Sequence, residues 1–359
     1  MTASRLTLWP PLPPGVYARR RSTDLPFPLG AKGCSLFARG RHALWEGVRF
    51  LGVEPGDEIL VPAYHCGSEI EALAGAGLIC TFYEAGETLQ PDDGELESLL
   101  TPRSRALFLI HYYGFPQDAP RWRRWCDERG LLLIEDCAQA WLASHDGRPL
   151  GSFGDLAIFS LYKTFGVPDG AALVSTGQAR GSRAAGRLGL VPVGKKHVSW
   201  LMTRSERLDA FLSRFEHEEV EDFSLGEPAN PSFATRFLLP RVARPDAAAR
   251  RRANYRILLD EFVEHVPPPF ARLPEEACPL VFPLEVGGRP GLRERLEREG
   301  IEARRFWPFL HPLFPARDFP GAVSWHDRFL ALPVHQELRE GEVGREAAGI
   351  RRALASRAP

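Results

Sequence analysis

The chain has 359 residues, enough for about two domains and a sizeable core, and its 44% apolar and 25% charged residues exclude a largely disordered polymer. Lys and Arg total 45 against 46 Asp and Glu, a net charge of −1, which excludes a global basic field for nucleic acid. No uninterrupted apolar run reaches the ~20 residues that span a bilayer, so no membrane partner is expected.

The N-terminus, MTASRLTLWPPLPPG, has no apolar h-region and does not read as a secretory signal. Six scattered cysteines (Cys34, Cys66, Cys80, Cys126, Cys137 and Cys278) form no CxxC pair and show no zinc-ligand spacing. They predict buried thiols in a reducing cytoplasm rather than a disulfide framework or a metal site.

Residues 1–35, rich in Pro and Arg, read as an extended arm lying on the rest of the protein. His42–Leu51 has helical spacing, and GVEPGDE then marks a turn. Strands are predicted at Glu58–Tyr64, Leu78–Tyr83, Ala106–His111, Leu131–Glu135, Leu156–Leu161 and Ala171–Ser175. Helices are predicted at Ser68–Ala76, Glu95–Leu100 and Pro120–Arg129, the last with Pro in its first turn. Strands apolar throughout and separated by helices imply a mostly parallel sheet covered on both faces.

The stretch 178–240 is less periodic, with Gly-rich and basic runs such as Gly181–Gly189 and a helical segment around Glu206–Glu218. Beyond it, Pro245–Val263 reads as a long helix whose Arg250–Arg252 run is expected to be a solvated face. Strands at Leu280–Leu284 and Leu330–Pro333 and helices at Pro290–Glu299 and Glu342–Ala355 follow, around a Pro- and aromatic-rich stretch at Arg305–Pro320. The fold class is thus α/β. Residues 36–240 form a large domain and 241–359 a smaller α+β domain.

In open α/β sheets ligands bind beyond the carboxyl ends of the strands, and four places there carry chemistry. Asp136 ends LLLIED; it reads either as the cap of a following helix or as a carboxylate that keeps a bound ring nitrogen protonated. Lys163, in a turn directly after the strand LAIFSL, reads as a surface charge or as a desolvated Schiff-base amine. Ser160 is either a satisfied core hydroxyl or a phosphate ligand. Gly40-Arg41-His42 opens a helix whose free N–H groups suit a phosphate. Tyr64-His65-Cys66 follows another strand. A Cys/His nucleophile pair is conceivable there, although neighbouring residues at a strand end point to opposite sides.

Taken in order, GRHALWEGVRFLGVEPGDEILVPAY, TPRSRALFLIHYYGFP, LLLIEDCAQAW, GSFGDLAIFSLYK, GIEARRFWPFLH and ALPVHQEL resemble the DegT/DnrJ/EryC1/StrS aminotransferases. The resemblance runs from about residue 36 to near the C-terminus. It implies fold type I and pyridoxal 5′-phosphate (PLP) as cofactor. It implies that Asp136 faces the pyridine nitrogen and Gln139 the ring's 3-oxygen. Ser160 and the backbone at Gly40 and Arg41 then hold the phosphate, Tyr64 and Cys66 lie beside the ring, and Lys163 forms the Schiff base and moves the proton. It further implies a homodimer with shared active sites, Asn230 reaching the partner's phosphate. The small-molecule substrates are an amino donor such as glutamate and a keto acceptor, often a nucleotide-linked sugar.

The chain departs from the pattern in places. Only four positions separate Phe159 from Lys163, fewer than is usual in the family. Asp169-Gly170-Ala171 stands for a longer Gly-Asp-Gly-Gly run, Cys66 for a ring-stacking aromatic, and Arg41 for a small hydroxyl residue. Three other readings compete with an aminotransferase: a PLP-dependent dehydratase, against which the retained Lys163 argues; a non-catalytic homologue that acts as a binding subunit; and a hydrolase built on Cys66.

Overall fold

The computed structural model describes residues 5–84, 86–176, 184, 186–204 and 223–356. The helix expected around Glu206–Glu218, and residues 181–183 and 185 of the Gly181–Gly189 run, lie outside the described residues.

A seven-stranded sheet forms the centre, in the order β1-β9-β8-β5-β4-β2-β3. Its strands are β1 (Ser35–Phe37), β2 (Glu58–Pro62), β3 (Ile79–Tyr83), β4 (Ser104–Ile110), β5 (Leu132–Asp136), β8 (Leu156–Ser160) and β9 (Ala171–Ser175). A two-residue hairpin, β6 (Ser144–His145) and β7 (Arg148–Pro149), precedes β8. Strands β3, β2, β4, β5 and β8 run parallel, whereas β9 pairs antiparallel with β8 and β1 antiparallel with β9. Every residue of β2 and β8 is buried. Strands covered on both faces carry no alternation to read, and their continuous apolar runs made them legible.

Helices α1 (Gly40–Phe50), α2 (Ser68–Gly75), α3 (Asp93–Leu99) and α4 (Ala119–Arg129) stand at or within a few residues of the expected places. In α1 the buried positions His42, Ala43, Leu44, Gly47 and Val48 repeat at helical spacing and face the sheet. A four-residue helix, α5 (Leu161–Thr164), continues directly from β8 and carries Lys163. Three helices were not anticipated: α6 (Leu190–Met202), Phe233–Val242 and Pro320–Arg328.

Toward the C-terminus, β10 (Val281–Glu285) and β11 (Phe329–Pro333) pair antiparallel over five residues. The helices Ala247–Phe262 and Glu340–Ala355 pack together beside them. The N-terminal arm lies on this part. Leu6 bridges Ile301, and Leu6, Leu8, Leu12 and Val16 are buried. The Arg250–Arg252 run corrects one expectation. Arg251 is only 1% exposed, because it falls on the buried stripe Ala247, Ala248, Arg251, Asn254, Tyr255, Leu258 of its helix.

Candidate active site

Parallel strands bring their carboxyl ends to one edge, and the register sets Ile110, Asp136 and Ile158 side by side there. An open cleft of about 620 Å³ lies beyond that edge. Gly40 and Arg41 from the start of α1, Cys66, Asp136, Gln139, Ser160 and Lys163 all line it. Seven of the nine site residues proposed from the sequence therefore meet at one place, although they come from four separate segments.

Asp136 is nearly buried, and its Oδ1 accepts the Ala138 N–H at 2.8 Å. The segment that follows is a turn, not a helix, so the carboxylate caps a local turn rather than a helix start. Burial, and secondarily the charge of Glu69, raise its pKa from 3.8 to about 7; the Ala138 N–H and Lys163 pull the other way. Lys163 does not offset the burial of an anion here, and a protonated ring nitrogen would supply a further positive charge.

Lys163 is half-buried at the end of α5. Burial opposes its charge, and the acidic groups around it, Tyr162, Cys66, Asp136 and Glu69, outweigh burial and hold the pKa above the ordinary lysine value. The short link from Phe159 thus still delivers the amine to the cleft, because α5 starts at once from the strand end.

Two buried polar atoms on the cleft wall have no partner among the described residues: Ser160 Oγ and Gln139 Nε2. Ser160 is the N-cap of α5, yet its hydroxyl makes no capping bond. Gln139 spends its Oε1 on the Tyr113 N–H at 2.8 Å and leaves its amide donors idle. Unpaired buried donors cost about 1–3 kcal/mol each, and a polar ligand in the cleft relieves that cost. The start of α1 is likewise uncapped: Arg39 makes no side-chain cap bond, and the space beside Gly40 is open. Arg41 turns its guanidinium to the Ser224 carbonyl at 2.6 Å, leaving the helix N–H groups accessible. Donors of this kind, a ring-facing carboxylate and an amine fit PLP.

Cys66 donates its thiol to Glu69 Oε2 at 2.6 Å, and burial pushes its pKa well above the ordinary value. His65 is buried against Phe82 and Phe314, both ring nitrogens unpartnered, its pKa lowered to about 3 by burial. No Cys–His pair forms among the described residues, and burial together with the Glu69 charge disfavours the thiolate a nucleophile needs.

Tyr64 does not line the cleft. It is buried behind it, bonded through its hydroxyl to Tyr113 and packed on Tyr112 and Trp307. Asn230 is also away from the cleft, donating to the Ala184 carbonyl and accepting from Arg236. Among the cleft residues not anticipated are Arg39, Glu69, Tyr162 and Trp307. Glu69 lies in the first turn of α2, where an acidic residue reads as a helix-start preference. Trp307 sits in the aromatic stretch GIEARRFWPFLH, which carried the only signal for it.

The profile of the DegT/DnrJ/EryC1/StrS aminotransferase family matches residues 25–185. EryC1 of Saccharopolyspora erythraea, named as an erythromycin biosynthesis sensory transduction protein, is 35% identical over 88% of this chain and 82% of its own. The chain belongs to the DegT/DnrJ/EryC1/StrS aminotransferase family. A UDP-N-acetyl-3-dehydro-α-D-glucosamine 3-aminotransferase of Acidithiobacillus ferrooxidans is 28% identical over 90% of this chain and 84% of its own. The crystal structure of S. venezuelae DesV superposes with a TM-score of 0.67 at 25% identity, covering 91% of this chain and 85% of that one. Members of the family are PLP-dependent enzymes, and the cleft of this aminotransferase carries the donors that PLP needs.

Proposed function

We propose that the enzyme moves an amino group from an amino acid, glutamate or glutamine, to the carbonyl of a nucleotide-linked keto sugar. The observation that carries this reading is the meeting of Lys163 with Asp136, Ser160 and Gln139 at one strand edge. Relatives named as sugar aminotransferases, among them a dTDP-3-amino-3,4,6-trideoxy-α-D-glucose transaminase of Streptomyces venezuelae, support the acceptor class.

Each side chain has a part. Lys163 would hold the cofactor through its amine, and the same amine, when free, would take up the proton from the donor's Cα. Asp136 keeps the ring nitrogen protonated. Ser160 and the first N–H groups of α1 hold the phosphate, and Gln139 donates to the ring oxygen. Bound PLP supplies the electron sink that makes the Cα–H acidic. The retained lysine favours transamination over dehydration.

The chain divides near residue 240 into a large cofactor-binding domain and a smaller C-terminal one, and it works as a cytoplasmic homodimer. An exposed apolar surface supports the dimer: Leu188, Leu190, Val191, Phe233 and Phe237 are 48–74% exposed on adjoining segments. The Phe233 and Ala234 N–H groups bond the Arg187 and Leu188 carbonyls, so these residues share one face. Asn230 lies at its border, and we assign it to the second copy's phosphate.

The test is a two-step assay. Glutamate or glutamine should bleach the visible band of the PLP-loaded enzyme, and a nucleotide-linked keto sugar should restore it with an aminated product. Restoration without amination would favour the dehydratase, and no bleaching by any amino acid would favour a non-catalytic homologue.

A further inference from the structure

Arg251 occupies a place that the proposed chemistry does not use. It is 1% exposed, yet every bond it makes is ordered. Nε donates to Gln336 Oε1 at 2.8 Å, Nη1 to the Pro279 and Leu280 carbonyls at 3.0 and 3.2 Å, and Nη2 to the Thr164 carbonyl at 2.9 Å. Gln336, itself buried, donates its Nε2 to the same Thr164 carbonyl at 3.0 Å. Thr164 is the last residue of α5 and follows Lys163 directly.

Four-residue helices have little stability of their own. The last carbonyls of α5 have no helical partner, and one of them receives two donors, one charged, from the C-terminal part of the chain. A guanidinium spreads its donors in a fixed fork, so it can hold several carbonyls in one arrangement where an ammonium cannot. The cost of burying this cation is repaid only because all its contacts are made. The shortened run between Phe159 and Lys163 leaves the lysine turn with few residues of its own to define it, and the clamp supplies the missing definition from outside.

We infer that Arg251 and Gln336 are positioning residues that lock the Lys163 turn to the C-terminal part of the chain, so that the placing of the amine depends on how that part is seated. The inference rests on the PLP reading above. Cofactor attachment then becomes sensitive to two residues distant in sequence that line no part of the cleft.

The experiment uses the PLP-loaded enzyme with Arg251→Lys, which keeps the charge and loses the fork, and Gln336→Glu, which keeps the acceptor for Arg251 and loses the donor to Thr164. Arg252→Lys is the control; Arg252 bonds the Ala277 carbonyl and, among the described residues, no part of the Lys163 turn. Both clamp variants should release PLP about tenfold faster, the scale of one charge-assisted hydrogen bond, and should shift the pH midpoint of the visible band by roughly half a unit or more. The melting temperature of the cofactor-free protein reports separately on folding. Folded variants with wild-type release and midpoint would overturn the inference, and if Arg251→Lys does not fold, Gln336→Glu decides. A wild-type protein with no visible band would instead sink the PLP reading. In that event the acylation rate of Lys163 in wild type and Gln336→Glu decides the clamp: a changed rate upholds it, an equal rate overturns it.

Discussion

Two buried charges dominate the site at the level of single residues. In the cofactor-free protein, Asp136 has a pKa raised by burial and by Glu69 from 3.8 to about 7. The folded chain therefore holds a proton there that the unfolded chain has already released. The favourable contribution is complete below pH 3.8 and is lost as pH rises to about 7, above which the buried anion burdens the fold. Asp136→Asn removes that burden and keeps an oxygen for the Ala138 N–H. At pH 8 the cofactor-free variant should melt about 2–4 °C higher than wild type, yet bind PLP at least about tenfold more weakly. Equal melting curves would show that the carboxylate is not strained. Lys163→Ala should lower turnover by about 10²–10⁴. Both residues were legible because a charge at the end of an apolar strand stands out. Glu69 was not, since an acid in the first turn of a helix is ordinary. Arg251 was missed among three arginines, although the Ala247, Ala248, Arg251, Tyr255 spacing holds the answer.

Among the elements, those buried on both faces were read most accurately, because the apolar runs LLLI and LAIF stand out before any polar residue intervenes. The failures have physical reasons. Strand β1 has three residues, too few to show a period. Helix α6 (LVPVGKKHVSWLM) carries Pro, Gly and β-branched residues and buries only Val193 and Met202, so neither propensity nor amphipathicity marks it. The helix Pro320–Arg328 begins Pro-Gly and reads as a loop. Gly114, in the turn after β4, makes the seam between sheet and C-terminal part. Its carbonyl accepts the Cys278 N–H at 2.9 Å, its φ is +91°, and a Cβ there would lie 1.9 Å from the Cys278 carbonyl oxygen. Gly114→Ala should cost at least about 3 kcal/mol in urea unfolding. Gly147→Ala, also at positive φ but with open space around it, should cost only about 1 kcal/mol.

For the whole molecule, net charge and composition spoke only against a global basic field for nucleic acid, while the order of motifs carried the enzyme reading. The pairing of copies proposed above was not readable from periodicity, since the residues assigned to it lie in the irregular middle of the chain. The paired charges Val191→Asp and Phe233→Asp, each on the exposed apolar face, should convert a dimer to monomer in sedimentation and reduce turnover at least about tenfold. A dimer that persists with full activity would place the interface elsewhere. The central claim, that Lys163 holds the cofactor, is tested most directly by adding PLP, reducing with borohydride and mapping the adduct. The chain has four lysines, Lys32, Lys163, Lys195 and Lys196, so the map is unambiguous. A visible band and a reduced adduct confined to Lys163 are expected; no band, or label spread over the other three, would contradict the assignment.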